Sequence, residues 1–172
     1  MLPTLSLAAI VREDKSTCAI TQLNKPMQFD RSKSLQELEG LDWGDPTFDS
    51  HLVIECHRLH RVPLCEFTVE DLRITIGQNI GLQYLVPLAI EQLSENPLAE
   101  GNYYPGDLLS NVLRADAAFW REHPDFYQQL IPIAERALSI ASADEDICKE
   151  VVLESVNTAY KQFKRKSRTQ TA

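Results

Sequence analysis

The residues best suited to chemistry lie in the segment CHRLH, from Cys56 to His60. On a helix, Cys56 and His60 are four residues apart and His57 and His60 are three apart, so two or three of these side chains could face one zinc ion, with His51 or Cys65 nearby. A closed site needs ligands from a second element, and the sequence has no HExxH motif, CxxC pair or second histidine-rich segment. We predict no metal and no other cofactor, because a half-buried cysteine beside solvated histidines is the simpler interpretation. A small metal-dependent enzyme using His57 and His60 is the weaker alternative.

Other patterns that could be catalytic also have simpler explanations. Cys56 and His57 are neighbours, so on a helix their side chains point about 100° apart and cannot readily form a nucleophile–base pair. The segment GQNIG, from Gly77 to Gly81, lacks the GK[ST] ending of a phosphate loop and is better read as a turn between helices. We therefore predict no catalytic residue and a protein that is not an enzyme.

The acidic stretch between Lys33 and Arg58 is a stronger candidate for function, because no lysine or arginine interrupts it. Its carboxylates surround Trp43 and a turn that contains glycine and proline. One interpretation is a solvated face with a tryptophan packed into the core. The other is a patch that steers in a basic partner and competes with that partner's phosphate substrate. The six carboxylates are Glu37, Glu39, Asp42, Asp45, Asp49 and Glu55.

Two adjacent tyrosines in a later loop, Tyr103 and Tyr104, are aromatic side chains of the kind enriched at protein interfaces, although one of them is expected in the core. Together with most of the acidic stretch they form the predicted binding surface. The predicted partner-binding residues are Glu37, Glu39, Asp42, Trp43, Asp45, Asp49, Tyr103 and Tyr104.

The overall charge favours a basic protein as partner. The chain of 172 residues has 17 basic and 25 acidic side chains, a net charge of -8. Residues 1–158 hold only 12 of the basic side chains against all 25 acidic ones, a net of -13. Such a body repels nucleic acid and anionic membrane surfaces, so neither is predicted as a partner. The basic residues after position 160 are read as a solvated helix end.

The cysteines and the hydropathy pattern predict a cytoplasmic protein. The four cysteines show no paired spacing, which fits reduced thiols. The strongest apolar run, Tyr84 to Ile90, is far shorter than the roughly 20 residues that a membrane span requires. The N-terminus shows no secretory signal pattern.

Helix signals dominate the chain from Ser34 onward. Ser34 with Glu37 has the spacing of a capping box, and Thr68 with Asp71 three residues later is predicted to open a further helix. Asp107 and Asp116 are predicted to cap two short helices. Residues 124–142 and 144–168 are predicted to form the two longest helices, the second with an apolar stripe. The stripe consists of Ile147, Val151, Val152, Val156, Tyr160 and Phe163.

The predicted fold class is mostly α, an irregular multi-helix single domain, with room for a small β element at the N-terminus. Residues 1–33 are read as an N-terminal arm or a weak hairpin, because apolar residues alternate there. Residues 34–168 form the helical domain, and residues 169–172 form a tail.

Several blocks in a distinctive order resemble the immunity proteins of bacterial contact-dependent growth inhibition (CDI) systems. The blocks are LEGLDWGDP, TVEDLR, IGQNIGLQYLVPLAIEQL, NPLAEGNYYPGDLL and the FW pair before Arg121. The resemblance covers roughly Ser34 to Asp125, about half of the chain, and its blocks carry no catalytic residues.

The resemblance implies a cytoplasmic protein that binds and neutralises the toxic C-terminal domain of a large surface-delivered effector, commonly a nuclease. The predicted partner is therefore a cognate toxin domain, expected to be a basic nuclease. Resemblance identifies neither the toxin nor its contact residues, because function follows the site rather than the fold. A helical adaptor or regulator of an unrelated host protein is the alternative.

Overall fold

The computed structural model describes residues 29–143 and 149–168. These residues form eight α-helices and a 3-10 turn at Leu64–Glu66. No strand is present in the described ranges, where two isolated bridges are the β-type contacts. The mostly α, single-domain prediction is confirmed. The predicted arm or hairpin, apart from residues 29–33, and the tail lie outside the described residues. The helices are α1 (Leu35–Glu39), α2 (His51–His60), α3 (Val69–Gly77), α4 (Leu82–Glu95), α5 (Asp107–Arg114), α6 (Ala117–Glu122), α7 (Pro124–Ala143) and α8 (Lys149–Arg168).

Helix α5 lies at the centre of the domain and packs against α3, α4 and α8, while α7 packs against α4 and α8. Leu108, Leu109, Val112 and Leu113 of α5 are fully buried. In contrast, α2 lies at the margin, where it packs against α1 and α3. Its buried side chains do not belong to the main apolar core.

Local sequence signals set most helix ends as predicted. Two capping boxes form: the hydroxyl groups of Ser34 and Thr68 accept from the backbone N–H groups of Glu37 and Asp71, whose carboxylates accept in return. Asp116 caps α6 by accepting from the N–H of Ala118. α1 ends at Gly40, which has a φ of 65°.

The prediction that Asp107 caps α5 was wrong. Gly106 occupies the N-cap position, and Asp107 is the first helical residue. Its carboxylate instead accepts from the N–H groups of Gly101 and Tyr103, at 2.7 and 3.2 Å, in the preceding loop. An aspartate at a helix start can accept hydrogen bonds either from the first turn of the helix or from the preceding loop, and here the loop folds back over its carboxylate.

The apolar stripe of α8 is largely confirmed. Val152, Val156, Tyr160 and Phe163 are buried, whereas Val151 is exposed. Val151 is adjacent to Val152 and therefore points about 100° away from the stripe. The side chain of Ile147 lies outside the described residues.

Candidate functional site

The α1–α2 loop, residues 40–50, contains Asp42, Trp43, Asp45 and Asp49 of the predicted binding surface. The backbone carbonyl of Gly44 joins its middle to α2: the oxygen lies 3.2 Å from Nδ1 of His57 and accepts from Nη2 of Arg61 at 2.7 Å. Asp42 accepts from the N–H of Gly44 at 2.9 Å. Two contacts therefore attach the exposed loop to the end of α2, and a third lies within the loop.

A stacked pair of rings strengthens this attachment. The His60 imidazole lies against the Trp43 indole, with ring centroids 3.9 Å apart and planes 14° apart. His60 is only 1% exposed, and its Nε2 lies 3.2 Å from Oε2 of Glu39. The expectation of solvated histidines is therefore wrong for His60, because the loop and its tryptophan cover this end of α2. Trp43 is half-buried, and its ring also contacts the His57 imidazole edge to face, with centroids 5.4 Å apart.

Four of the six carboxylates are engaged within the protein. Glu37 closes its capping box, where hydrogen bonds from Ser34 lower its pKa. Glu39 contacts His60. The hydrogen bond from the Gly44 N–H lowers the pKa of Asp42. Arg58 donates to Glu55 at 2.6 Å and lowers the pKa of that carboxyl.

Asp45 and Asp49 are the two carboxylates of the stretch that make no hydrogen bond or ion pair with the described residues. Both are exposed. Folding also brings two arginines to this surface: Arg61 lies 3.6 Å from Asp42, and Arg58 pairs with Glu55. The uninterrupted acidic run in the sequence thus becomes a mixed surface, on which Asp45 and Asp49 are the carboxylates of the stretch without a hydrogen-bond or ion-pair partner among the described residues.

The structure gives the CHRLH segment a structural role. Cys56 is buried, and burial raises the pKa of its thiol, which disfavours the thiolate that a zinc ion needs. His57 and His60 face Gly44 and Glu39 as described above. No group of three or more potential metal ligands occurs in residues 29–143 or 149–168.

The two tyrosines lie on the loop between α4 and α5 and differ in environment. Tyr103 is 70% exposed, and the guanidinium of Arg73 sits over its ring at 4.4 Å from the centroid. Tyr104 is half-buried, and its hydroxyl lies 2.6 Å from Oγ of Ser155 on α8. Tyr103 is therefore available to a partner, and Tyr104 mainly attaches its loop to α8.

A shallow groove of about 280 Å³ lies beside Glu39. Asp116, Glu122, Phe119 and His123 contribute to its lining from α6 and its flanks. Glu39 therefore both contacts His60 and lines this groove. The sequence reasoning did not find the groove, because its residues are far apart along the chain.

The same reasoning also missed exposed apolar side chains in the α1–α2 loop. Phe48 is 73% exposed and Leu41 is 55% exposed. The segment TFDS carried a signal for exposed Phe48. Its phenylalanine lies between polar residues and belongs to no apolar periodicity that would place it in the core.

Comparison with known proteins identifies the family. Residues 37–130, more than half of the chain, match the family model of CDI immunity proteins. The chain belongs to the CDI immunity protein family. No curated protein and no solved structure matches it.

The match to CDI immunity proteins runs from α1 into α7 and contains all eight predicted partner-binding residues. Helix α8 lies outside it, although α8 completes the core. No helix in the described parts of the chain combines the length and apolar character needed to cross a membrane. The family match supports an immunity function, in which the partner is a cognate CDI toxin.

Proposed function

We propose that this immunity protein neutralises its cognate toxin by forming a stoichiometric complex, with the α1–α2 loop against a basic toxin domain. The family supplies the class of partner. The observation that carries the choice of surface is that Asp45 and Asp49, on an exposed loop, have no hydrogen-bond or ion-pair partner among the described residues. A basic partner gains from facing them, because complementary charges speed association and disfavour wrong partners.

A nuclease is the toxin class that best suits this surface. A nuclease must bind phosphates through lysine and arginine, so its substrate groove is basic. Carboxylates presented by an inhibitor can occupy the same positions as the phosphates. The complex requires no covalent step, and the immunity protein acts as a non-enzymatic inhibitor in the cytoplasm, where a delivered nuclease would meet its substrate.

The attachment of the loop supports tight binding. A loop that is already ordered loses less conformational entropy when a partner binds. Protection against a lethal enzyme leaves little free toxin, so we expect a Kd of about 1 nM or lower, or about -12 kcal/mol. The expected interface buries about 1,600 Å² in total.

Co-expression tests the proposal. Cells would produce the toxin domain of the effector encoded directly upstream of this gene, either with this protein or with an empty vector. We expect growth only with this protein, and a stable complex in a subsequent pull-down. Absence of rescue with both proteins soluble would contradict the proposal and favour a helical adaptor of another host protein.

A further inference from the structure

Exposed apolar side chains are concentrated at the α1–α2 loop and the start of α2. Among the described residues, seven large hydrophobic side chains are exposed, and four of them lie between positions 41 and 54. A soluble protein gains nothing by exposing such side chains together, and apolar patches with polar rims commonly mark interaction sites. The four are Leu41, Phe48, Leu52 and Ile54.

The apolar face of α2 extends to Leu52, beyond the residues of that face that are buried by the rest of the protein. Leu52 precedes Cys56 by four residues and Leu59 by seven, so the three lie on one side of the helix. Cys56 and Leu59 are buried, whereas Leu52 is 41% exposed. Ile54 is two residues from Leu52 and lies on the opposite side. The first turn of α2 therefore presents an exposed apolar side chain, Leu52, four residues after the exposed Phe48.

We propose that Phe48 and Leu52 are the apolar anchor of the toxin interface, flanked by Asp45 and Asp49. This inference rests on the proposed function and makes it specific. The toxin surface that fits is an apolar pocket bordered by lysine or arginine side chains. Such an arrangement has the usual form of a tight interface, in which a few apolar or aromatic residues carry the energy and charges form the rim.

The charges around the anchor favour a basic protein over a second copy of this chain. A twofold dimer through this face would bring Asp45 and Asp49 of one copy towards the same residues of the other. Like charges in a desolvated interface are unfavourable. A basic partner instead compensates both carboxylates while its pocket takes up Phe48.

Binding kinetics separate the anchor from its rim. Rim charges act chiefly on association, whereas buried apolar contacts act chiefly on dissociation. The test uses the full chain and the toxin domain of the effector encoded directly upstream, purified as the complex and then separated. The variants are Phe48→Ala and Leu52→Ala. The matched controls are Ile140→Ala on α7 and Val151→Ala on α8, which also remove exposed aliphatic side chains.

We expect Phe48→Ala to raise the dissociation rate constant at least about 30-fold and Leu52→Ala about tenfold, as for hot-spot residues. The association rate constants should change less than about threefold. The thermal midpoint of the free protein should not fall, since both side chains are exposed. Both controls should bind like the wild type.

Four results would overturn the inference. If Phe48→Ala and Leu52→Ala left the dissociation rate constant of a tightly bound toxin unchanged, the anchor would lie elsewhere and the proposed function would stand. A lowered thermal midpoint of free Phe48→Ala would show that another segment of this chain covers the face. A wild-type dimer that Phe48→Ala dissociates would show that a second copy does. If the wild type fails to bind this toxin, the proposed function fails and the inference fails with it.

Discussion

The ring of His60 stacks on the ring of Trp43 at 3.9 Å between centroids, and this contact joins the buried end of α2 to the exposed α1–α2 loop. It explains why a loop with several polar residues has a defined path. Trp43 thereby has a structural role while it stays partly exposed.

Replacing Trp43 with alanine should loosen the loop. Loss of the stack and of partly buried indole surface should lower the free energy of unfolding by about 2 kcal/mol. The Kd for the toxin should rise about tenfold, because binding must then order the loop. Chemical denaturation and calorimetric titration would measure the two effects.

Trp43→Phe is the matched control, since a phenyl ring can still stack on His60. It should retain most of the stability and affinity. If Trp43→Ala left both quantities unchanged, the stacked pair would not organise the loop.

Gly81 tests the packing of α1 on the start of α4. Its φ is 57°, and a Cβ atom there would lie 2.6 Å from Cδ2 of Leu35. Gly81→Ala should destabilise the protein by about 3 kcal/mol, from left-handed backbone strain and overpacking together. Gly40→Ala is the control, because Gly40 has a φ of 65° with open space around it. It should cost about 1 kcal/mol from the backbone alone. Equal losses in thermal denaturation would contradict the close contact with Leu35.

Glu70 gives the stability a defined dependence on pH. Its carboxylate accepts from Nε of Arg73 at 2.6 Å and from the N–H of Asn102 at 3.0 Å, and these bonds lower its pKa, the bond from Arg73 most strongly. The unfolded chain therefore binds a proton more readily than the folded protein. Stability should be fully present above the ordinary value of 4.5 and decline as the pH falls through the lowered pKa.

Glu70→Gln should be less stable than the wild type at pH 7, and the difference should shrink below pH 4.5 as the wild-type carboxylate becomes protonated. Glu154→Gln, on the exposed side of α8, is the control and should follow the wild-type curve. Denaturant titrations from pH 7 to pH 3 would check this. A difference that stayed constant across that range would exclude ionised Glu70 as its source.

The unpaired carboxylates should govern the rate at which the toxin is captured. The double variant Asp45→Asn and Asp49→Asn should lower the association rate constant about tenfold at low salt and flatten its dependence on ionic strength. The double variant Glu150→Gln and Glu154→Gln on α8 removes the same charge from a surface outside the family match. Stopped-flow mixing at several salt concentrations should show little change for that control. Equal effects would mean that overall charge, rather than this loop, attracts the partner.

Sequence reasoning worked where the determining contacts are local. The capping boxes at Ser34 and Thr68 depend on residues three positions apart, so their spacing was sufficient. The family was also recognisable from the order of its blocks. Even a local signal was ambiguous for Asp107, which could bond either to the helix or to the preceding loop.

The details of the proposed binding surface required the folded chain. The burial of His60 depends on Trp43, 17 positions away in the sequence, and the compensation of Asp42 depends on Arg61. The periodic patterns of apolar residues in the sequence do not indicate such pairings. The sequence therefore indicated the acidic segment but not that Asp45 and Asp49 are its two unpaired carboxylates, nor that Phe48 is exposed beside them.

The most direct measurement is a titration of the nuclease activity that we propose for the toxin, with this protein as titrant and the toxin well above about 1 nM. The account predicts a linear fall to zero activity at one equivalent, with a Kd of about 1 nM or lower from the curvature near the endpoint. Activity that persists at several equivalents, or inhibition that requires roughly micromolar protein, would contradict it.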